Sequence, residues 1–287
     1  MDRTAIFLLI AALAGGCSSR PRVVVGSKNF TEQVLLGEIV ARHIERRLGF
    51  EVDRKLNLGG TLLAHEALKG GSIDLYPEYT GTALTAVLKQ PAVKEAKVAL
   101  ERVRQGYRPW GIEWLPPLGF NNSFAMVVRA GSAREQGLQT LSQAARRPMP
   151  WSLGVGYEFT QRPDGLDGLV QTYGLRLTGP PVAMDLGLLY PALEGRRIEM
   201  AAANATDGML ARSEFVVLED DQRYFPPYEC AIVVRQEILE RYPRLRAVLA
   251  ELSGRIPDST MRRMNGAVDV DHRPATDVAG DFLNQWK

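Results

Sequence analysis

Two cations, one hydroxyl and two phenol rings stand in turns of this chain where a small charged solute would meet them. Lys28 lies in GSKNFTEQ (26–33), Tyr79 and Thr82 in DLYPEYTGT (74–82), Arg162 in EFTQRPDG (158–165) and Tyr228 in FPPYECA (225–231). Lysine and arginine suit a carboxylate, and arginine adds orientation through two parallel hydrogen bonds. Threonine is a neutral donor. A quaternary ammonium has no N–H to share, so aromatic faces are its natural partner, at about 0.5–2 kcal/mol per cation–ring contact. Taken singly, each residue has a plainer reading. Lys28 reads as a solvated loop lysine, Thr82 as a first-turn threonine, Arg162 as the partner of Asp164 or Asp167, and either tyrosine as an ordinary aromatic. Their force lies in the set, which fits a zwitterion with one acidic and one apolar cationic end.

The elements that must position them alternate. Val23, Val24 and Val25 read as a buried strand. From Thr31 to Leu48, Leu35, Leu36, Ile39, Val40, Ile44 and Leu48 recur at helical spacing, with Gly49 placed to end the helix. Asn29 and Glu32 have capping-box spacing. Lys28 then sits at the mouth of a helix N-terminus, whose free N–H groups and partial positive charge favour an anion. A strand near 51–57, a turn at Gly59 and Gly60, a helix over 61–69 and a strand at 72–75 continue a βαβ pattern and predict a largely parallel sheet. The segment 74–82 runs from a strand end into a helix start, with Pro77 as breaker and Thr80 as N-cap, and ligands of open α/β sheets gather at such carboxyl ends.

A charged helix over 92–107 follows, then two strand-like runs around Asn121 and Asn122. The alternation restarts with a strand at 151–156, helices at 164–173 and 186–195, and strands at 198–203, 215–218 and 230–235; three helices close the chain. Strand-like segments near 123–128 and 229–234 join two sets of βα units. The expectation is an α/β chain of two lobes, 22–124 with 229–287 and 125–228 between them.

With 287 residues and 45% hydrophobic content the chain can bury a sizeable core. Its net charge of +2 is interspersed, without the basic stripe of a nucleic-acid binder. The apolar run from Ala5 to Ala14 is too short for a bilayer core, which needs about 20 helical residues, so residues 1–17 read as a signal peptide. Gly15, Gly16 and Cys17 resemble a bacterial lipobox. They predict diacylglycerol on Cys17 and a protein held at the periplasmic face of a membrane, or free in the periplasm if Cys17 stays unmodified. Cys230, the other cysteine, falls in an apolar strand pattern and reads as a buried, inert thiol. No HExxH or GxSxG appears, and no metal-ligand cluster, so nothing marks a catalytic residue, a metal or a cofactor. His43 and His65 fall on helices as partly exposed residues. Asp74 and Glu78, the one glycosidase-like pair of carboxylates, read better as capping and hydrating a strand-to-helix turn.

GSKNFTEQ together with EYTGT resembles the osmoprotectant-type substrate-binding proteins of ABC importers, which capture glycine betaine, choline, carnitine and related quaternary amines. The resemblance covers residues 22–287. It implies a type II periplasmic-binding-protein fold, a mixed sheet flanked by helices in each lobe, two joining hinge strands and the ligand in the cleft between. It places Lys28, Tyr79 and Thr82 on ligand contacts of the first lobe, Arg162 on the carboxylate-binding arginine of the second and Tyr228 on a cage aromatic. In FNNSFAM the family's cage tyrosine stands as Phe124, and Asn122 takes a position where an acid often helps hold the cation. In AAANATDG another family tyrosine stands as Asn204. The implied partners are a zwitterion or quaternary amine, a permease with its ATPase and a lipid anchor, with the chain a monomer. Weak betaine binding or a preference for a more polar zwitterion follows from the missing aromatic. A ligand sensor of the same fold is the alternative, and an exported hydrolase a more distant one.

Overall fold

The computed structural model describes residues 21–285; Cys17 and the signal peptide expected over residues 1–17 lie outside them. The chain opens with β1 (Arg22–Gly26), α1 (Thr31–Leu48), β2 (Glu51–Lys55), α2 (Thr61–Lys69), β3 (Leu75–Tyr79), α3 (Thr80–Thr82), α4 (Ala96–Tyr107) and β4 (Ile112–Trp114). It then enters a second unit: β5 (Phe124–Arg129), α5 (Ala130–Gln136), α6 (Leu141–Ala145), β6 (Leu153–Val155), α7 (Leu166–Tyr173), β7 (Val182–Ala183), α8 (Leu186–Glu194), β8 (Met200–Asn204) and β9 (Phe215–Leu218). It returns through β10 (Cys230–Arg235) and closes with α9 (Gln236–Arg241), α10 (Pro243–Ala250), α11 (Asp258–Asp269) and α12 (Ala275–Asn284).

Two five-stranded sheets result, ordered β2-β1-β3-β10-β4 and β7-β6-β8-β5-β9. In each, three strands run parallel and the strand that arrives from the other unit, β10 or β5, pairs antiparallel on both sides. The sheets are therefore mixed, where βα alternation alone predicts mostly parallel ones. The segment leading into β5 runs beside β10 and the residues just before it: Leu115 and Leu118 donate to Ile232 and Cys230 within β10, Asn121 bridges Glu229, and Asn122 N–H donates to Tyr228 at 3.2 Å. The crossing therefore lies just before the two strands expected to make it, and those strands are built into the sheets.

α1 covers the first sheet with Leu35, Leu36, Ile39 and Ile44, all fully buried, each stabilising the fold by roughly 1.5–3 kcal/mol. It packs on α10, α11 and α12, and Gly49 ends it in the left-handed region at φ 68° with its N–H on Glu45. The expected capping box is absent: Phe30 is the N-cap without a side-chain cap, because Glu32 is buried and points elsewhere. Pro77 does not break the chain before a helix but lies inside β3, opposite Ile232. Ile232 sends its carbonyl to Leu115 on the other side, so this is the pair that exchanges no ladder bond, and the missing N–H of Pro77 is not needed. Thr80 is likewise not the N-cap, a place Tyr79 takes; its hydroxyl donates to the Pro227 carbonyl at 3.2 Å. Four helices, not three, close the chain, since Pro243 begins a new helix directly after α9.

Candidate functional site

Between the two sheets lies a cavity of about 750 Å³, within the range of small-molecule sites. Lys28, Tyr79, Thr82 and Tyr228 line it from the first unit. Asn122 lines it from the crossing segment, and Phe124, Arg162 and Asn204 from the second unit. All eight residues singled out in the sequence thus face one space.

Arg162 reaches across from the turn before α7. Its Nε and Nη2 form a two-pronged pair with Asp164 at 2.9 and 2.8 Å, and Nη2 also donates to Thr85 and to the Tyr228 hydroxyl, each at 3.2 Å. Nη1 donates to Thr82 Oγ1 at 3.3 Å, which leaves one of its two N–H groups for a solute. Thr82, accepting there, keeps its own O–H to donate. Burial pulls the Arg162 pKa down, but Tyr228 and Asp164 outweigh it and hold it above the ordinary arginine value. The guanidinium also lies over the rings of Phe124 and Tyr228, at 5.5 and 5.3 Å.

Lys28 is no solvated loop lysine. It is 3% exposed, its Nζ is 2.5 Å from Glu78 Oε1, and it sits 5.0 Å from the centre of the Tyr79 ring. Glu78 also accepts from the Tyr76 hydroxyl at 2.8 Å and the Tyr79 N–H at 2.6 Å. Asp74 accepts from the Val24 N–H at 2.8 Å. Both carboxylates are buried, Glu78 within β3 and Asp74 directly before it with its backbone bonded to Val24 and Arg235, so neither is the hydrated cap of a turn. His43 and His65, expected to be partly exposed, are 4% and 3% exposed. His43 contacts the Val248 carbonyl and Glu251, and His65 packs edge-on against Tyr107 and Trp110; burial lowers both pKa values. Cys230 is fully buried, and burial raises its thiol pKa well above the ordinary value.

Phe124 opens β5 directly opposite Asn204 on β8. Its ring meets Phe159 edge-on at 4.8 Å, Tyr228 at 5.7 Å and Phe225 at 5.8 Å. One wall is therefore aromatic, and the neighbouring strand position that would extend it carries an amide.

Glu32 was not among the expected site residues, although it stands in the same motif as Lys28. It is 3% exposed and lines the cavity. Oε1 accepts from the Tyr79 hydroxyl at 2.7 Å and Asn122 Nδ2 at 2.9 Å; Oε2 accepts from Asn265 Nδ2 at 2.9 Å and from the Thr206 hydroxyl. Burial raises its pKa against these four donors. Glu32 thus ties α1 to the crossing segment, to the loop after β8 and to α11. Thr206, Asp207 and Asn265 also line the space. Thr206 and Asp207 follow Asn204 in AAANATDG without standing out there, and Asn265 comes from α11, where no local pattern marks it. Among the described residues no group of His, Cys, Asp and Glu is placed to hold a metal ion.

Comparison with known proteins bears on the family and the fold. Residues 21–285 match the family described as the substrate binding domain of ABC-type glycine betaine transport system. A glycine-betaine-binding protein of Pseudomonas aeruginosa is 34% identical over 95% of this chain and 90% of its own length. The ergothioneine transport permease/ergothioneine binding protein EgtU of Helicobacter pylori is 32% identical over 98% of this chain, a match that takes up 51% of that protein. The crystal structure of a glycine betaine/carnitine/choline ABC transporter superposes with a TM-score of 0.81 and 29% identity, over 92% of this chain and 98% of that one. Two mixed, helix-flanked sheets with this superposition are the type II periplasmic-binding-protein fold. The chain belongs to the family of substrate-binding domains of ABC-type glycine betaine transport systems.

Proposed function

We propose that the chain captures a small zwitterion or quaternary amine outside the cytoplasm and hands it to a membrane permease driven by an ATPase. Lys28, Tyr79, Thr82, Asn122, Phe124, Arg162, Asn204 and Tyr228 form the binding site, with 22–124 plus 229–287 as one lobe and 125–228 as the other. The observation that carries this reading is the convergence of these residues, from both sheets, on one cavity. Arg162 Nη1 and the Thr82 hydroxyl take the acid group, while Phe124 and Tyr228 offer ring faces to the cation. A solute touching both lobes favours the closed state and shifts the population toward it. Asn204 opposite Phe124 favours a more polar zwitterion over a betaine. The protein works as a monomer anchored by diacylglycerol on Cys17.

Calorimetric titration with glycine betaine, choline, carnitine and polar zwitterions tests the reading. One-to-one binding, weakened at least tenfold in Arg162→Lys, is expected, since lysine cannot reproduce the fork. Binding that Arg162→Lys leaves unchanged overturns it. Incorporation of labelled palmitate into the parent and not into Cys17→Ser tests the anchor.

A further inference from the structure

Acceptors dominate one end of the cavity. No cation pairs with Glu32 among the described residues, and its four donors fill the lone-pair sites a carboxylate offers. It lends the wall its charge without a spare hydrogen bond. Two neighbours keep acceptor capacity. Asn265, 3% exposed, spends Nδ2 on Glu32 and on the Thr206 carbonyl, while its buried Oδ1 has no partner. Asp207 accepts one bond, from the Met209 N–H at 3.0 Å. The buried Tyr190 hydroxyl lies beside Asp207 without meeting hydrogen-bond geometry. The two cations of the cavity are each matched by a carboxylate of this chain, Lys28 by Glu78 and Arg162 by Asp164, so the unmatched charge of this wall is negative.

A fully alkylated ammonium answers that charge but leaves Asn265 Oδ1 without a donor. A cation bearing N–H answers both. We propose that Asn265, Asp207 and Glu32 form a subsite for a hydrogen-bond-donating cation, a protonated amine, guanidinium or imidazolium, so that the preferred solute carries N–H at its positive end. This rests on the solute-capture reading of the same cavity and narrows its ligand class.

Two matched pairs of solutes test it: N,N-dimethylglycine against glycine betaine, and 4-(dimethylamino)butyrate against 4-(trimethylammonio)butyrate. Within each pair the charge near neutral pH is the same and one N–H replaces one methyl. Calorimetry on the full chain should show the N–H member bound about tenfold more tightly in at least one pair, as expected for a charge-assisted hydrogen bond. Asn265→Ala should bring that ratio close to one. Asp207→Asn, which preserves the side chain's shape, should weaken the N–H member more than its partner and carries the comparison if Asn265→Ala does not fold. Arg162→Lys should weaken both members alike. Ratios at or below one in both pairs, or ratios unchanged in these Asn265 and Asp207 variants, overturn the subsite. If Arg162→Lys still weakens all four solutes, the capture reading survives that failure. Absence of binding by all four at millimolar concentration overturns both.

Discussion

Lys28 and Glu78 neutralise each other where neither side chain reaches bulk water, which makes the lysine at once a cavity residue and a structural one. Removing one partner of such a pair leaves a buried charge, at a cost of about 3–5 kcal/mol. Lys28→Met should therefore lose stability on that scale in urea denaturation, and Lys28→Met with Glu78→Gln should recover most of it. Asp207 carries a pH dependence. Burial pushes its carboxyl up to about 6 from an ordinary 3.8, with the hydrogen bond from the Met209 N–H opposing and Asp269 of α11 and Glu32 of α1 adding like charge. The native state then binds more protons than the unfolded chain between these values, so stability falls as pH rises from about 4 through about 6 and is level above. The loss is at most about 3 kcal/mol, less for the part of the side chain open to the cavity. Denaturation midpoints across that interval should show the slope in the parent and lose it in Asp207→Asn. Glu32 is only half legible in the sequence. Its position beside Lys28 was visible, but its spacing from Asn29 suits a cap as well as a cavity wall, and only the four donors converging from other elements decide between the two.

At the scale of elements, β5 and β8 set the character of the aromatic wall, because their register puts Phe124 and Asn204 face to face. Directly opposed side chains on antiparallel strands lie within contact of one another. Asn204→Tyr should add a ring to that wall and tighten glycine betaine binding by roughly five- to tenfold, the worth of one cation–ring contact; calorimetry reads the change directly. Much at this scale is legible: α1, α2, β9 and β10 follow apolar patterns, α1 with its stop at Gly49, and their limits agree with them. What was not legible depended on pairing. Pro77 looks like a breaker until the register shows that its N–H is not called upon, and the antiparallel setting of β10 depends on a strand more than a hundred residues away. The short helices α5 and α6 carry too little periodicity to stand out, and α6 is fixed by the Thr140 and Gln143 capping box.

For the whole molecule, the cleft is held by contacts that bridge the two sheets: Glu32 with Thr206, Arg162 with Thr82 and Tyr228, and the loop after β8 against α11. Gly208 and Gly266 are where those last two backbones meet. A Cβ on Gly208 would lie 2.3 Å from Gly266 N and 2.4 Å from its Cα, and backbone cannot yield as a side-chain tip does. Gly208→Ala should hold the units apart, enlarging the radius of gyration in small-angle scattering and weakening solute binding. Two sheets and a chain that crosses twice were foreseeable from the restart of the βα pattern; the inward turn of Glu32, Asp207 and Asn265 was not, since each belongs to a different segment. The central claim is that one solute is held by both units at once. A crystal structure of the chain with the solute that binds tightest in calorimetry tests it most directly. The acid group is expected at Arg162 Nη1 and Thr82 and the cation between Phe124 and the Glu32 wall; a solute seated on one unit alone, or away from Arg162, would overturn joint capture.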